Sequence, residues 1–377
     1  MSVFLSTFVD VINKLTSEGI SCNVKNKNKV LKLHVLTCCV DSVARAPVQG
    51  IKQFNGKYGC SWCLHPGEWA EGSMRYPLLT YYVNDRDHEK TVNDMLHATP
   101  DNPINGIKYP SPLINFPKFN IILGFTVDYL HCCLEGVASQ FTEYHLQSMS
   151  KDDIEELDEK INKITAPHQI SRLSRPISIR KDWKAREWEH YVLFYSVPLL
   201  ADHLSRNHLF HWLLFVKSLN ILLQSSIHIR ELDRADQMLH EFVAKSQEYF
   251  GIKSMTFNVH QLLHISKTVL NWGPLWCQST FSFESANQNL FKAIQCSKGV
   301  TLQIVRFINI NHFISVVQEY VYPHADVLVK MYCDDFLGSK VQNTCKIRDI
   351  TYFGLGNRVP NDILEKLQLS EHSANHF

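Results

Sequence analysis

Two half-sites for a metal ion stand about two hundred residues apart in this chain, and they restrict its folds more than any other feature. Cys60-Ser61-Trp62-Cys63 offers two thiolates at a spacing that lets both reach one tetrahedral ion. His260 and His264 fall on a segment whose pattern predicts a helix over about 258–270, where i and i+4 are neighbours on one face. Each half lacks two ligands, and no second C-x2-C occurs. Joining them gives a Cys2His2 zinc site. A fold that makes this site must return residue 260 to residue 60, and the bridge offsets part of the closure entropy of the loop between them. At the level of residue types, a redox pair or plain buried cysteines and histidines are the alternatives. His65 is a third ligand by type, but its position two residues after Cys63 is awkward for the same ion.

The 377 residues are 45% hydrophobic and 20% charged, enough to bury a sizeable core in one large domain or two. The net charge of +1 means that contact with nucleic acid has to come from local patches. The eleven cysteines are odd in number and include the adjacent pairs Cys38-Cys39 and Cys132-Cys133. The opening MSVFLSTFVDVINKL carries Asp10 and no basic start, so the sequence reads as thiols or metal ligands in a reducing compartment. No apolar run reaches eighteen residues, which predicts no membrane span.

Along the chain, apolar residues at helical spacing predict a helix over 3–17, and Ile20 to Val24 reads as a short strand. The β-branched run Val30 to Val40 predicts a long central strand closed by Asp41, with Ser42 to Ile51 turning into a helix that Pro47 limits. A turn falls at Asn26 to Asn28, a helix at about Asp87 to Ala98, and a second core strand at Phe119 to Val127. Helical residues follow from Asp128 to Leu146, and again over Asp152 to Ile164, Trp188 to Leu204, Leu209 to Ser226 and Leu232 to Tyr249. Arg172, Arg175, Arg180, Lys181, Lys184 and Arg186 form the most basic stretch, interleaved with Trp183 and Trp188. That pattern suits phosphate contact and base stacking, or equally a solvated helix face with its tryptophans turned inward.

Asp41 at a strand end has the placement of a metal-holding carboxylate, although most such aspartates are helix caps. Asp128 and His131 share a helix face three residues apart, and Glu284 sits in the aromatic frame Phe281-Ser282-Phe283-Glu284. Cys60 lies nineteen residues after Asp41, and His264 twenty before Glu284, so the two metal half-sites stand at nearly equal distances from two acids.

These residues carry a resemblance. The stretches CVDSVARAPVQGIKQFNGKYGCSWCLHPGE, INFPKFNIILGFTVDYLHCCLEGV and MTFNVHQLLHI with GPLWCQSTFSFES occur in the order found in CACTA-type, Tnp2-like DDE transposases and transposon-derived proteins. The resemblance covers residues 3 to about 315 and includes ISRLSRPISIR with WKAREW. It implies an α/β fold: a partial RNase H-like core interrupted by a large all-helical insertion. The parts would be 1–135, with the C-x2-C; 136–255, the insertion; 256–320, the end of the core; and 321–377, an extension. It implies Asp41 and Glu284 as the second and third acids of the catalytic triad, and Asp128 with His131 as the C/D-x2-H signature. It also implies structural zinc at Cys60, Cys63, His260 and His264, catalytic magnesium in the intact family, transposon-end DNA as partner and a nuclear location. Homo-oligomerisation stays open. The first acid of such a triad has no counterpart here, since Asp10 lies within the first helix, and so cleavage by these residues alone is not expected.

Overall fold

Local chemistry sets most helix ends. The computed structural model describes residues 2–24, 27–165, 170, 172–337, 344–347 and 350–353. Helix α1 (Ser2–Ser17) is followed by the strands β1 (Ile20–Val24) and β2 (Lys27–Leu31). Helix α2 (Ser42–Gln49) starts where the Asp41 carboxylate accepts from Ala44 N at 2.5 Å. It ends at Gly50, whose φ of 78° and close approach to the Tyr109 carbonyl exclude any side chain. Strands β3 (Glu68–Ala70) and β4 (Ser73–Arg75) make a small hairpin, and α3 (His88–His97) is capped by Asp87.

After a loop that runs to Asp128, helix prevails in the first unit. A π-helical stretch, Tyr129–Ala138, runs into α4 (Ser139–Gln147), and α5 (Lys151–Asn162) opens with a Ser150–Asp153 capping box. Helix α6 (Ala185–His190) passes through a π-helical turn, Tyr191–Tyr195, into α7 (Ser196–Leu200). Then come α8 (Arg206–Leu222), α9 (Ile229–Phe250), α10 (Phe257–Trp272) and α11 (Phe281–Lys292). The chain forms two compact units, Met1–Ala286 and Asn287–Phe377, with the division inside α11. The second unit holds α12 (Val300–Val316), α13 (Val327–Leu337) and the hairpin of β5 (Thr344–Ile347) and β6 (Ile350–Phe353).

Helix therefore dominates, and strands are few and short: among the described residues they occur only as three two-stranded antiparallel hairpins. The central strand expected at 30–40 is not formed. Val30 and Leu31 belong to β2, which pairs only with β1 and lies exposed; beyond it Leu33 is tied to α1, its N–H donating to Leu15 O and its carbonyl accepting from Thr16 Oγ1, and no ladder forms before Cys38. There a single parallel rung joins it to the second expected strand, with Cys38 N donating to Gly124 O at 2.7 Å and Thr126 N to Cys38 O at 3.4 Å. The 119–127 segment is not a strand either. The Asn120 carboxamide accepts from Ile122 N and Leu123 N and curls it into a turn before Phe125. β-branched composition marks a segment that fits a half-buried pleat, but it does not supply the neighbouring strands. The helices expected over 3–17, 87–98, 152–164 and 258–270, and the strand at 20–24, are formed within a few residues of their expected ends. Asn26 and most of 338–377 lie outside the described residues.

Helix α10 holds the first unit together. It packs on α9 and on the π-helical stretch, and it buries Val259, Leu262 and Ile265 completely. Helices α8 and α9 pack on each other through Phe215, Phe242 and His211, whose imidazole stacks on Phe242 at 4.2 Å. In the second unit, the helical run Val300–His324 is 25 residues long and apolar enough to cross a membrane by length and composition. Scanning for uninterrupted apolar runs passed over it because Gln303, Arg306, Asn309 and Asn311 break the run.

Phe242 has no exposed surface, so Phe242→Ala should cost about 3–5 kcal/mol in urea unfolding, and Leu270→Ala on the exposed side of α10 should stay within about 0.5 kcal/mol.

Candidate metal centre

Cys60 and Cys63 sit in a loop made rigid by backbone geometry and by one cation. Arg86, almost fully buried, donates from Nε to Cys60 O and from Nη2 to the carbonyls of Tyr58 and Asn105. Arg86 N also donates to Trp62 O at 2.8 Å. The loop is thereby pinned with both sulfurs turned toward α10. Thr256 caps that helix through Val259 N, and His260 and His264 lie on its buried face as the i, i+4 spacing requires.

The four ligand atoms converge. Cys60 Sγ lies 3.5 Å from His264 Nε2, Cys63 Sγ 3.3 Å from His260 Nε2, and the two Nε2 atoms are 3.4 Å apart. All four ligand atoms lie within 4.8 Å of one another, and all four residues are buried. An ion such as zinc, with bonds of about 2.3 Å to sulfur and about 2.0–2.1 Å to nitrogen, makes tetrahedron edges of about 3.3–3.6 Å between N and N and between S and N. The measured edges match these values. The donor set therefore fits one tetrahedral ion with four protein ligands and no open position.

Electrostatics favour the ligating form of Cys60 and of His260, and keep Cys63 a thiol until an ion replaces its proton. Burial works against the Cys60 thiolate, but the hydrogen bond from Cys63 and the imidazoles of His264 and His260 outweigh it and hold Cys60 well below the ordinary thiol range. Cys63, the donor in that bond, is pushed up by it and by burial. Burial lowers His260, which keeps its imidazole neutral, the form that binds metals. His65 does not take part. Its Nε2 faces Pro77 O at 2.8 Å and its Nδ1 accepts from Gly67 N, so both ring nitrogens are spent.

Around the centre, Trp62 stacks on His264 and donates its indole N–H to Phe125 O. Tyr76, 1% exposed, stacks on His260 with ring centroids 4.9 Å apart. Arg45 lies over Trp62 at 4.4 Å and donates to Gln261 Oε1 at 3.0 Å, one residue beyond His260. Neither Arg45 nor Tyr76 stands out in the sequence. An arginine in a short helix and a tyrosine before a proline carry no signal of their burial.

The acids are arranged differently. The Asp41 carboxylate caps α2, is partly buried, and keeps one oxygen outside that bond. Asp128 is 3% exposed and fully engaged. It accepts from Leu130 N, His131 N, His131 Nδ1 at 2.5 Å, and from Thr280 through both N and Oγ1 at 2.9 Å. Thr280 O in turn accepts from Glu284 N at 2.8 Å, so Asp128 sets where the helix bearing Glu284 begins. Glu284 itself is exposed. Asp41, Asp128 and Glu135 each act electrostatically on His131, and Glu284 acts on Glu135. These groups thus share one neighbourhood. Among the described residues, however, they do not converge as a ligand group in the way the cysteines and histidines do. The acids as placed do not make a fitting magnesium site. Sequence reasoning missed Thr280 and Glu135; Thr280 could have been suspected only from its place just ahead of Phe281-Ser282-Phe283-Glu284.

The basic stretch is mostly paired. Glu187, 1% exposed, takes Arg175 through Nε at 2.7 Å and Nη2 at 3.0 Å, with Arg172 at 4.0 Å. Arg180 clasps Glu143 through two bonds, and Arg186 meets Glu189 at 2.5 Å. Trp183 and Trp188 are buried against Tyr191, so they are core residues. Lys181 and Lys184 are exposed, and Arg186 lies 4.2 Å over Phe281, three residues before Glu284. The fold and the site together define a helix-rich chain closed by a buried Cys2His2 centre. No family model and no curated protein matches the sequence.

Elemental analysis of purified protein should find about one zinc per chain. His264→Ala should lose the metal and lower the unfolding midpoint, whereas His65→Ala should keep it; full metal content in both His264→Ala and Cys63→Ser would refute the centre.

The Asp128–His131 pair predicts a pH window. The Asp128 hydrogen bond raises His131, so that contribution is full below the unfolded value of 6.5 and is lost as pH rises through the folded one. Burial pushes Asp128 up, but the bonds from His131 and Thr280 outweigh it and lower its pKa. Its contribution is therefore full above 3.8 and is lost as pH falls through the folded value. The stability lost in Asp128→Asn, read from denaturant midpoints, should be greatest between about pH 4 and 6.5 and shrink on both sides; a flat difference from pH 3 to 9 would contradict the pairing.

Proposed function

We propose that this chain is a transposon-derived, DDE-transposase-like protein that binds DNA, is held together by structural zinc, and does not cut DNA as residues 1–377. The observation that carries the reading is the closed metal centre: four protein ligands, all buried, join the C-x2-C nineteen residues after Asp41 to the histidine pair twenty residues before Glu284. A catalytic zinc keeps an open position, and this donor set leaves none. The zinc would be held by Cys60, Cys63, His260 and His264, and its contribution is folding energy. Two further facts favour the transposase-like reading. Asp41 and Asp128 act electrostatically on His131, and Glu284 on the neighbouring Glu135, which supports reading these groups together as the Asp, D-x2-H and Glu of the resemblance. Basic groups border them: Lys184 acts on Glu135, and Arg186 covers Phe281.

In the intact family, paired divalent ions activate the attacking oxygen and stabilise the leaving one. Here the residues do something else. Asp128 spends its carboxylate on holding Thr280 and His131, Asp41 caps a helix, and only Glu284 stands open to solvent. The RNase H-like core, transposon-end DNA as the partner and the nuclear location belong to this same reading. The alternative, a domesticated non-enzymatic scaffold that binds DNA or protein, shares the structural zinc and differs in having no catalytic role.

Residues 1–377 should neither cleave nor join labelled transposon-end duplex in Mg2+ or Mn2+. Binding should weaken as salt rises, and exchanging Lys181 and Lys184 for alanine should lower the log–log salt slope by about 2. These two are the residues to change, because removing Arg175 or Arg180 strands Glu187 or Glu143 and damages the fold. Cleavage abolished by Asp41→Ala and by Glu284→Ala would overturn the inactivity, and an unchanged slope would overturn the DNA contact.

A further inference from the structure

A cavity of about 220 Å3 lies between the β3–β4 hairpin, the chain at Phe54 and Asn55, and the first turn of α10. Its wall includes Arg75, Ser42, Phe54, Met74 and Phe257, and no acidic residue lines it. Arg75 is one of the lining residues and brings its positive charge to the wall, while its Nε is enclosed in the protein without a partner. Ser42 Oγ accepts from Arg45 Nη2 at 3.1 Å and from Gln261 Nε2 at 3.4 Å. Both of its lone pairs are therefore used, and its proton is left to donate. Arg45, 2% exposed, stands behind that wall as a second guanidinium, and its Nη1 also lacks a partner. The polar side of the cavity thus offers donors and positive charge.

The other side is aromatic and apolar. Phe54 and Phe257 stack with centroids 5.5 Å apart at 17°, and Met74 lies beside them. One residue ties these walls together: Tyr76 N donates to Met255 O at 2.8 Å and its hydroxyl to Phe54 O at 2.7 Å. The same ring stacks on His260, so the cavity is braced by the metal centre.

We propose that this cavity binds one nucleotide, with its phosphate against Arg75 and Ser42 and its base against Phe54, Phe257 and Met74. The volume is below the roughly 300–1,000 Å3 of pockets that enclose drug-sized ligands, so it seats part of one nucleotide and no more than one. Guanidinium and hydroxyl donors suit phosphate oxygens, and aromatic walls accept any base through its π-face. The inference deepens the DNA reading, because it assigns a place for one nucleotide whose lining includes neither Lys181 nor Lys184.

The test is calorimetric titration of the metal-loaded protein with thymidine 5′-monophosphate, with thymidine and inorganic phosphate titrated separately. One site per chain is expected, with thymidine and phosphate each at least tenfold weaker. Arg75→Met should weaken the monophosphate at least tenfold, and Ser42→Ala serves as the milder variant should Arg75→Met lower the thermal midpoint. Pentathymidylate binding more tightly than the monophosphate assigns the site to a strand, and equal affinity assigns it to the free nucleotide. Absence of saturable monophosphate binding, phosphate alone binding as tightly, or unchanged affinity in folded Arg75→Met or Ser42→Ala would each overturn the proposal. The variant lacking Lys181 and Lys184 should keep its monophosphate affinity while its duplex binding weakens and its salt slope falls, which separates failure here from failure of the DNA reading.

Discussion

Two sulfurs and two nitrogens at the corners of one small tetrahedron fix how the 60–63 loop lies on α10. Distances of 3.3–3.5 Å between ligand atoms leave little freedom in the backbone behind them. Three of the four ligands are stiffened from outside: Arg86 holds the Cys60 carbonyl, Trp62 stacks on His264, and Tyr76 stacks on His260. These contacts pass the constraint outward to the β3–β4 hairpin, the 54–55 turn and the start of α10. The helices α8, α9 and α10 share a hydrophobic core, but the loop-rich first third of the chain has among its described residues only two small hairpins as sheet. Its order rests on this closure and on a few buried cations with backbone acceptors.

Asp128 is the second organising group, and its role is positional. A buried carboxylate is costly unless its oxygens are satisfied, and here five donors satisfy it. Three of those donors lie within its own turn and two belong to Thr280, 152 residues away. One side chain thus fixes both the start of the π-helical stretch and the start of α11. An acid read from sequence as catalytic can therefore serve best by holding the groups around it.

Legibility followed locality. The metal centre could be read because each half is a short spacing rule and a tetrahedral ion needs four ligands, so the missing halves pointed to each other. Helices with their own caps, such as the one begun by Asp87 or by Ser150, could also be read. The strands at 30–40 and 119–127 misled because a strand is completed by its neighbours, and composition cannot say whether they exist. The basic stretch was half legible. Its arginines show in the sequence, but Glu143 and Glu187, which neutralise them, meet them only in the fold.

The closure between Cys60 and His264 also sets an order of events during synthesis. At roughly 5–20 residues per second, the second pair of ligands follows the first by on the order of 10–40 s. Throughout that interval two neighbouring thiols are present with half a coordination shell. Until it is closed, such a thiol pair is open to other metals and to oxidants, and the first third of the chain is completed only after α10 is made.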